Sequence, residues 1–380
     1  MMRVSKWIPT VGITLLFAAN LPASPPAAGP DESAAVFRTV GDGTDDREMK
    51  PLLDRLSELS RLISENAQSP QAWRYPLEQA EILLRLAARS QGEERDKLLR
   101  MAIDSYYSAA VLSPGDQPAA YERLQRLPEQ IARALRGNPL AQYAMMQEIQ
   151  ADCARVLEKN GGDRDKAQEH RRTRLMRFAR ENIQSPEAPG AILEAAQISE
   201  SLGANEEACR CYRYLSENFP GHAAGRKAGG ALWRLGKIDG PVRLEMPLLY
   251  APSGDAPFDL AQLRGKLVVV YFWSSTDAHA AGDFLALKQL TDRYGSRGVE
   301  VVYVNMDDDP ARGRAFLSGQ LTAGVHLYQS GGLAGAAAER YGILELPHAF
   351  LVGKDGTLLG HSLPAAQLES HVNQHLHPGG

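Results

Sequence analysis

The chain has 380 residues, 44% hydrophobic and 23% charged, with a formal net charge of -4, long enough for two domains that each bury a core without disulfide help. Beyond the N-terminus no run approaches the roughly 20 apolar residues needed to span a bilayer, so an integral membrane protein is excluded past that point. From Gly240 on there are 10 basic and 14 acidic residues, against 32 of each before it, a balance that argues against electrostatic nucleic-acid binding.

At the N-terminus, Arg3 and Lys6 precede an apolar stretch from Trp7 to Leu21 and then small residues and prolines, LPASPPAAGP. This is the layout of an export signal over residues 1–28. Cleavage and retention as an anchor both stay open, because the small-x-small pattern is imperfect around Ala23 and only loosely met near Ala28. The expected location is extracytoplasmic, periplasmic or secreted, with membrane contact only if the segment is retained. Residues 29–47, rich in Pro, Ala, Gly and Asp and without periodicity, read as a disordered linker.

Residues 48–238 carry helical patterning throughout. Leu52, Leu53, Leu56, Leu59 and Ile63 share one face, and amphipathic segments follow near 77–91, 93–112, 117–136, 139–159, 164–183, 187–202, 204–218 and 222–236. A repeat is visible: SENAQSPQA at Ser64 to Ala72 and RENIQSPEA at Arg180 to Ala188 share a helix-ending Glu-Asn, then Ser-Pro, then Ala. A weaker copy, SENFPGHAA, starts at Ser216. The stretch Ala195 to Gly236, with Leu202-Gly203 in a turn, Ala208 and Tyr212 in a helix and Phe219-Pro220 at its end, resembles a tetratricopeptide helix pair and the start of another. The alternative is an irregular helical bundle. Tyr106, Tyr107, Tyr212 and Tyr214 sit at core-forming positions and read as packing.

The cysteines are Cys153, Cys209 and Cys211. Cys209 and Cys211 lie two residues apart on one helix and face different directions, so they are poorly placed to bond each other. Cys153 could pair with either; buried thiols and a relocated redox site are the other readings.

From residue 239 to 378 the pattern changes. A run rich in β-branched and aromatic residues, Leu267 to Trp273, reads as a central strand, followed by a helix from Asp277 to Tyr294 and a strand from Val299 to Met306. A helix near Pro310 to Gln320, a strand at Val325 to Tyr328, a helix to Tyr341, a hairpin turning on Asp355-Gly356 and a helix from Pro364 to Leu376 complete an α/β domain with a mixed sheet.

LRGKLVVVYFWSSTDAHA and YGILELPHAFLVGKDGTLLG resemble the two signatures of the TlpA/ResA group of thioredoxin-like (redoxin) proteins. The resemblance covers about 130 residues and implies a thioredoxin-like fold, a cis bond before Pro347, and thiol–disulfide oxidoreductase activity. Aligned on Phe272-Trp273, the Cys-x-x-Cys pair of that family falls on Asp277 and Ala280. Neither can attack a disulfide, so the redox site reads as degenerate, with no catalytic residue and no cofactor. Tyr271 stands where thioredoxins carry a buried acid.

Asp277, or Thr276 before it, is expected to cap the following helix. A second reading joins Asp277, His279 and His348 as metal ligands. The resemblance also implies an extended-peptide surface at Trp273, Thr276, Leu346 and Pro347, where the backbone before the proline pairs with a partner strand. The leading expectation is an exported, non-catalytic interaction protein whose helical domain and cis-proline surface bind protein or peptide partners. The alternatives are an oxidoreductase using Cys153, Cys209 or Cys211, and a metal-binding protein.

Overall fold

A computed structural model describes residues 46–236, 241–250, 256–319 and 323–376. The export signal and the linker, apart from Asp46 and Arg47, lie outside the described residues.

Among the described residues nine helices come first: α1 (Asp46–Glu65), α2 (Arg74–Ala87), α3 (Gly92–Leu112), α4 (Ala119–Ala134), α5 (Leu140–Lys159), α6 (Arg164–Glu181), α7 (Ala188–Ser201), α8 (Asn205–Asn218) and α9 (Ala223–Arg234). From α1 to α7 each packs on the next, and α3 also meets α5. Leu56, Leu59, Leu83, Leu86, Ile103, Tyr106 and Leu124 fill the core, and Ala80, Ala102, Ala109 and Ala144 are buried where neighbouring helices meet. A helical region over this span is what the patterning predicts.

The two copies of the repeat fold alike. Asn66 Nδ2 donates to the Leu62 carbonyl and Asn182 Nδ2 to that of Phe178, each at 3.0 Å. Ser69 N–H then bonds Asn66 O, as Ser185 N–H bonds Asn182 O, and each serine Oγ accepts the N–H two residues on. An asparagine back-bonded to its own last turn thus ends both helices, and a serine turn opens the next.

Polar side chains staple the later helices. Arg174 of α6 reaches Glu148 and Asp152 of α5, both at 2.6 Å, while Arg171 pairs with Glu194 of α7 and Arg172 with Glu207 of α8.

Contacts divide the chain into two compact units between Cys211 and Tyr212, inside α8 and upstream of the 238/239 boundary expected from patterning. The second unit is built on a five-stranded sheet of β3 (Leu267–Trp273), β4 (Val299–Asn305), β5 (Val325–Tyr328), β6 (His348–Val352) and β7 (Leu358–Gly360), in the order β5-β4-β3-β6-β7. A small hairpin of β1 (Glu245–Met246) and β2 (Phe258–Asp259) precedes it. β3 runs parallel to β4, and β4 to β5; β6 and β7 are antiparallel. Every residue of β3 is buried, as a β-branched and aromatic run between two covered faces requires.

Crossover helices α10 (Ala280–Tyr294) and α11 (Pro310–Leu317) link the parallel strands, and α13 (Ala365–Leu376) ends the fold. One sheet face packs Tyr271, Trp273 and Tyr303 against Phe284, Leu287, Leu368 and Val372. The other packs Phe272, Phe350 and Val304 against Tyr341 of α12 (Ala336–Tyr341) and Trp233 of α9.

α9, grouped by patterning with the helical domain, is therefore a layer of the α/β unit. Its Arg226 pairs with Glu339 at 2.8 Å, and Arg234 Nε donates to the Gly342 carbonyl at 2.9 Å. A Cβ at Gly230 would lie 2.1 Å from Glu339 O and 2.5 Å from Gly342 N, so the backbones touch and only glycine fits. The β5 edge is covered too: Leu249 N–H bonds His326 O and Tyr328 N–H bonds Pro247 O.

Candidate functional site

The candidate site lies at the end of the sheet where β3 and β4 finish and β6 begins. Trp273 pairs with Asn305 across β3 and β4, and Phe272 with His348 across β3 and β6. The bend before β6 contains the cis peptide Leu346–Pro347 expected from the resemblance.

Between β3 and α10 runs the turn 274–279. Asp277 N–H bonds Ser274 O at 3.1 Å, and Ala280 N–H bonds Asp277 O at 3.3 Å. The helix begins at Ala280, with His279 at its N-cap position and no side-chain cap. Asp277 is thus not the helix cap. Its Oδ1 accepts His279 N–H at 2.7 Å, closing a side-chain turn two residues wide just ahead of the helix. Thr276 does not cap either: its hydroxyl is 2.8 Å from Ser274 Oγ, at the exposed tip of the turn. Ala280 is fully buried.

The buried acid of thioredoxins has no counterpart on β3. In its place Tyr271 donates to Asp283 Oδ2 at 2.7 Å, and burial, followed by that bond, pushes the phenol well above its ordinary range.

Of the four residues expected at the peptide surface, Trp273 does not belong there. It is 0% exposed, with its ring 4.9 Å from that of Phe284 and 5.1 Å from that of Phe316. A strand buried on both faces turns each side chain into a core, and Trp273 points to the α10 side. Thr276 is exposed, and Leu346 and Pro347 are half-buried. Among the described residues the N–H and C=O of Leu346 take no hydrogen-bond partner.

Asp277 and His279 are neighbours, with Nδ1 of the largely exposed imidazole 3.3 Å from Asp277 Oδ1. His348 is elsewhere: it shares the sheet face of Phe272, packs edge-on against Phe350 at 5.3 Å and is buried, within electrostatic reach of Arg234 of α9. The expected metal set is therefore not assembled, and among the described residues no group of three His, Cys, Asp or Glu side chains is disposed to hold an ion. Among the described residues neither ring nitrogen of His348 has a hydrogen-bond partner; burial, then the nearby Arg234 and His361, drives its pKa down to about 3.

All three cysteines are free and buried, so of the readings left open by the sequence the disulfide is not formed. Cys153 donates weakly to Ala167 O at 3.5 Å. Burial raises the pKa of Cys153 and of Cys211, the opposite of what a nucleophilic thiol needs.

One residue of the site escaped the sequence reading. Asp307, just past β4 and 5% exposed, accepts Ser274 Oγ at 2.5 Å, Ser275 N–H at 3.0 Å and Asn305 Nδ2 at 2.9 Å. A polar Asn305 ending a strand whose preceding four residues, Val301 to Val304, are all hydrophobic was the available signal.

The sheet order, the cis-proline bend and the helix-opening turn define a thioredoxin-like α/β domain, preceded by a helical region. A family model described as Thioredoxin-like matches residues 265–358. Similar solved structures include a protein described as thiol:disulfide interchange protein DsbE from Chlorobium tepidum, 22% identical over 37% of this chain and 96% of that one, with a TM-score of 0.32. Others are a thiol-disulfide oxidoreductase from Bacteroides fragilis (17%, 36% and 98%, TM-score 0.32) and a secreted disulfide oxidoreductase from Mycobacterium tuberculosis (21%, 34% and 94%, TM-score 0.29). A search of curated proteins found no match.

Proposed function

We propose that this chain is an exported, non-catalytic docking protein of TlpA/ResA-like descent, whose thioredoxin-like domain accepts an extended peptide at Leu346–Pro347. The observation that carries this reading is the unpaired backbone of Leu346, half-buried beside a turn that holds no sulfur. An N–H and a C=O left open at a sheet end accept a strand by main-chain pairing, which needs no thiol. Thr276, exposed on the neighbouring turn, would meet the side chains of such a strand. The N-terminal layout supports export, and the matched turns at Asn66 and Asn182 support a tetratricopeptide-like array as a second docking surface.

The test is binding of a fluorescein-labelled, cysteine-free peptide of alternating threonine and valine to the full chain. Saturable binding is expected, with amide shifts at Leu346 and in the turn 274–279. Leu346→Pro deletes the open N–H and is expected to weaken binding about tenfold. Shifts confined to other regions, or equal binding by a folded Leu346→Pro chain, would sink the reading.

A further inference from the structure

In a dithiol enzyme of this fold the turn before the helix is shaped around two sulfurs. This chain has none there, yet hydrogen bonds knit the turn together, and they converge on one carboxylate. Asp307 Oδ1 takes Ser274 Oγ and Ser275 N–H, and Oδ2 takes Asn305 Nδ2 together with a longer approach of 3.3 Å from Ser275 N–H. From Ser274 the bonds continue outward. Its Oγ accepts Thr276 N–H at 3.3 Å and lies 2.8 Å from Thr276 Oγ1, while its carbonyl accepts Asp277 N–H.

The carboxylate is held from behind. Asn305 is 0% exposed, and a Cβ at Gly313 of α11 would lie 2.6 Å from its Cγ, so this helix carries no side chain where the amide needs room. Asn305 and Asp307 are thus set by the packing of α11 on β4. An anion gripped by three donors in a site nearly closed to water is a stiff element, because losing it would strand a backbone N–H and a hydroxyl.

We propose that Asp307 is a positioning residue that fixes the turn 274–277 as one wall of the peptide-accepting surface, replacing the constraint that a cysteine pair would supply. The proposal rests on the docking reading above. Asp307 touches no peptide; it acts through Ser274 and Ser275, which set where Thr276 stands relative to Leu346.

The test uses the full chain carrying Asp307→Asn, which keeps the volume but turns one acceptor into a donor facing donors. Hydrogen exchange at the amides of Ser275, Thr276 and Asp277 is expected to accelerate about tenfold or more, with exchange in β3 and the middle of α10 unchanged. The dissociation constant for the threonine–valine peptide is expected to rise about tenfold over the same comparison. Ser274→Ala, which removes one of the three donors, should give a smaller change of the same kind, and it carries the same readouts if Asp307→Asn fails to fold. Unchanged exchange in the turn would overturn the lock. Faster exchange with unchanged affinity would overturn the positioning role. A native chain that binds no peptide would instead remove the docking reading, while exchange would still decide whether Asp307 holds the turn.

Discussion

The turn 274–279 and the helices bearing Cys153, Cys209 and Cys211 divide between them what a thiol–disulfide enzyme needs in one place. The turn has the setting: it opens α10, whose unpaired N–H groups stabilise a thiolate, and it lies beside a cis-proline bend. It has no sulfur. The α5 and α8 cysteines supply sulfur in the opposite setting, where burial disfavours the thiolate of Cys153 and Cys211. The difference teaches that the scaffold and the chemistry of this fold are separable. What the turn keeps is geometry, and on the docking reading proposed above that geometry serves recognition.

The sharpest way to break the comparison is to put sulfur back. Asp277→Cys with Ala280→Cys places one thiol on the turn and one at the buried first residue of α10. Dithiothreitol-driven insulin reduction is expected to rise about a hundredfold or more over the native chain, because the helix start favours the thiolate. A double variant that forms its disulfide yet stays at background would mean the setting is lost along with the cysteines. Native thiols offer the converse test. Iodoacetamide should label Cys153, Cys209 and Cys211 at least about tenfold more slowly in the folded chain than in urea, since alkylation needs an exposed thiolate. Rapid labelling of the folded chain, with reductase activity lost in Cys209→Ser or Cys211→Ser, would restore the oxidoreductase reading.

Much of this architecture was legible because local patterns and tertiary demands agree. The run Leu267 to Trp273 could only be a doubly covered strand, and helix spans fell within a few residues of those observed. The hairpin at Asp355-Gly356 was found, although its loop runs over 353–357, with Gly356 at φ 82° and Gly353 N–H bonded to Thr357 O. What could not be read depends on partners distant in sequence. AAGRKAGGALWR has the same helical pattern whichever core it covers, so the allegiance of α9 was hidden. Trp273 lies in a strand with no polar alternation to say which way it points. Asp307 sits in a run of three aspartates that resembles a solvated loop, and its donors at Ser274 and Ser275 lie more than thirty residues earlier. His348, offered by the sequence as a metal ligand, is buried in the sheet near Arg234 of α9, a neighbour more than a hundred residues away.

Adjacent glycines test that last element. Gly230→Ala drives a methyl into the backbone of Glu339 and Gly342 and should cost about 1–3 kcal/mol in urea unfolding. Gly229→Ala meets nothing within 4 Å and should instead stabilise α9 by up to about 1 kcal/mol. Equal effects would mean that α9 does not pack closely on the sheet.

Acid probes the same interface more gently. His348 has a pKa near 6.5 when unfolded and about 3 when folded, because burial and then Arg234 and His361 oppose its charge. Below pH 6.5 the unfolded chain binds a proton that the folded chain refuses. Stability is therefore complete above that value, falls as pH drops, and levels off below about 3. His326, stacked on Tyr303 and lowered to about 4 by burial, adds a loss in the same direction over a narrower window. Between pH 7 and 5 the His348 share is about 2 kcal/mol. His348→Phe removes the proton site and keeps a ring against Phe350, so its unfolding free energy from urea titration should depend less on pH by that amount. If His348→Phe retains the full dependence, the imidazole is not sealed from water, and α9 covers this face of the sheet less completely than its packing indicates.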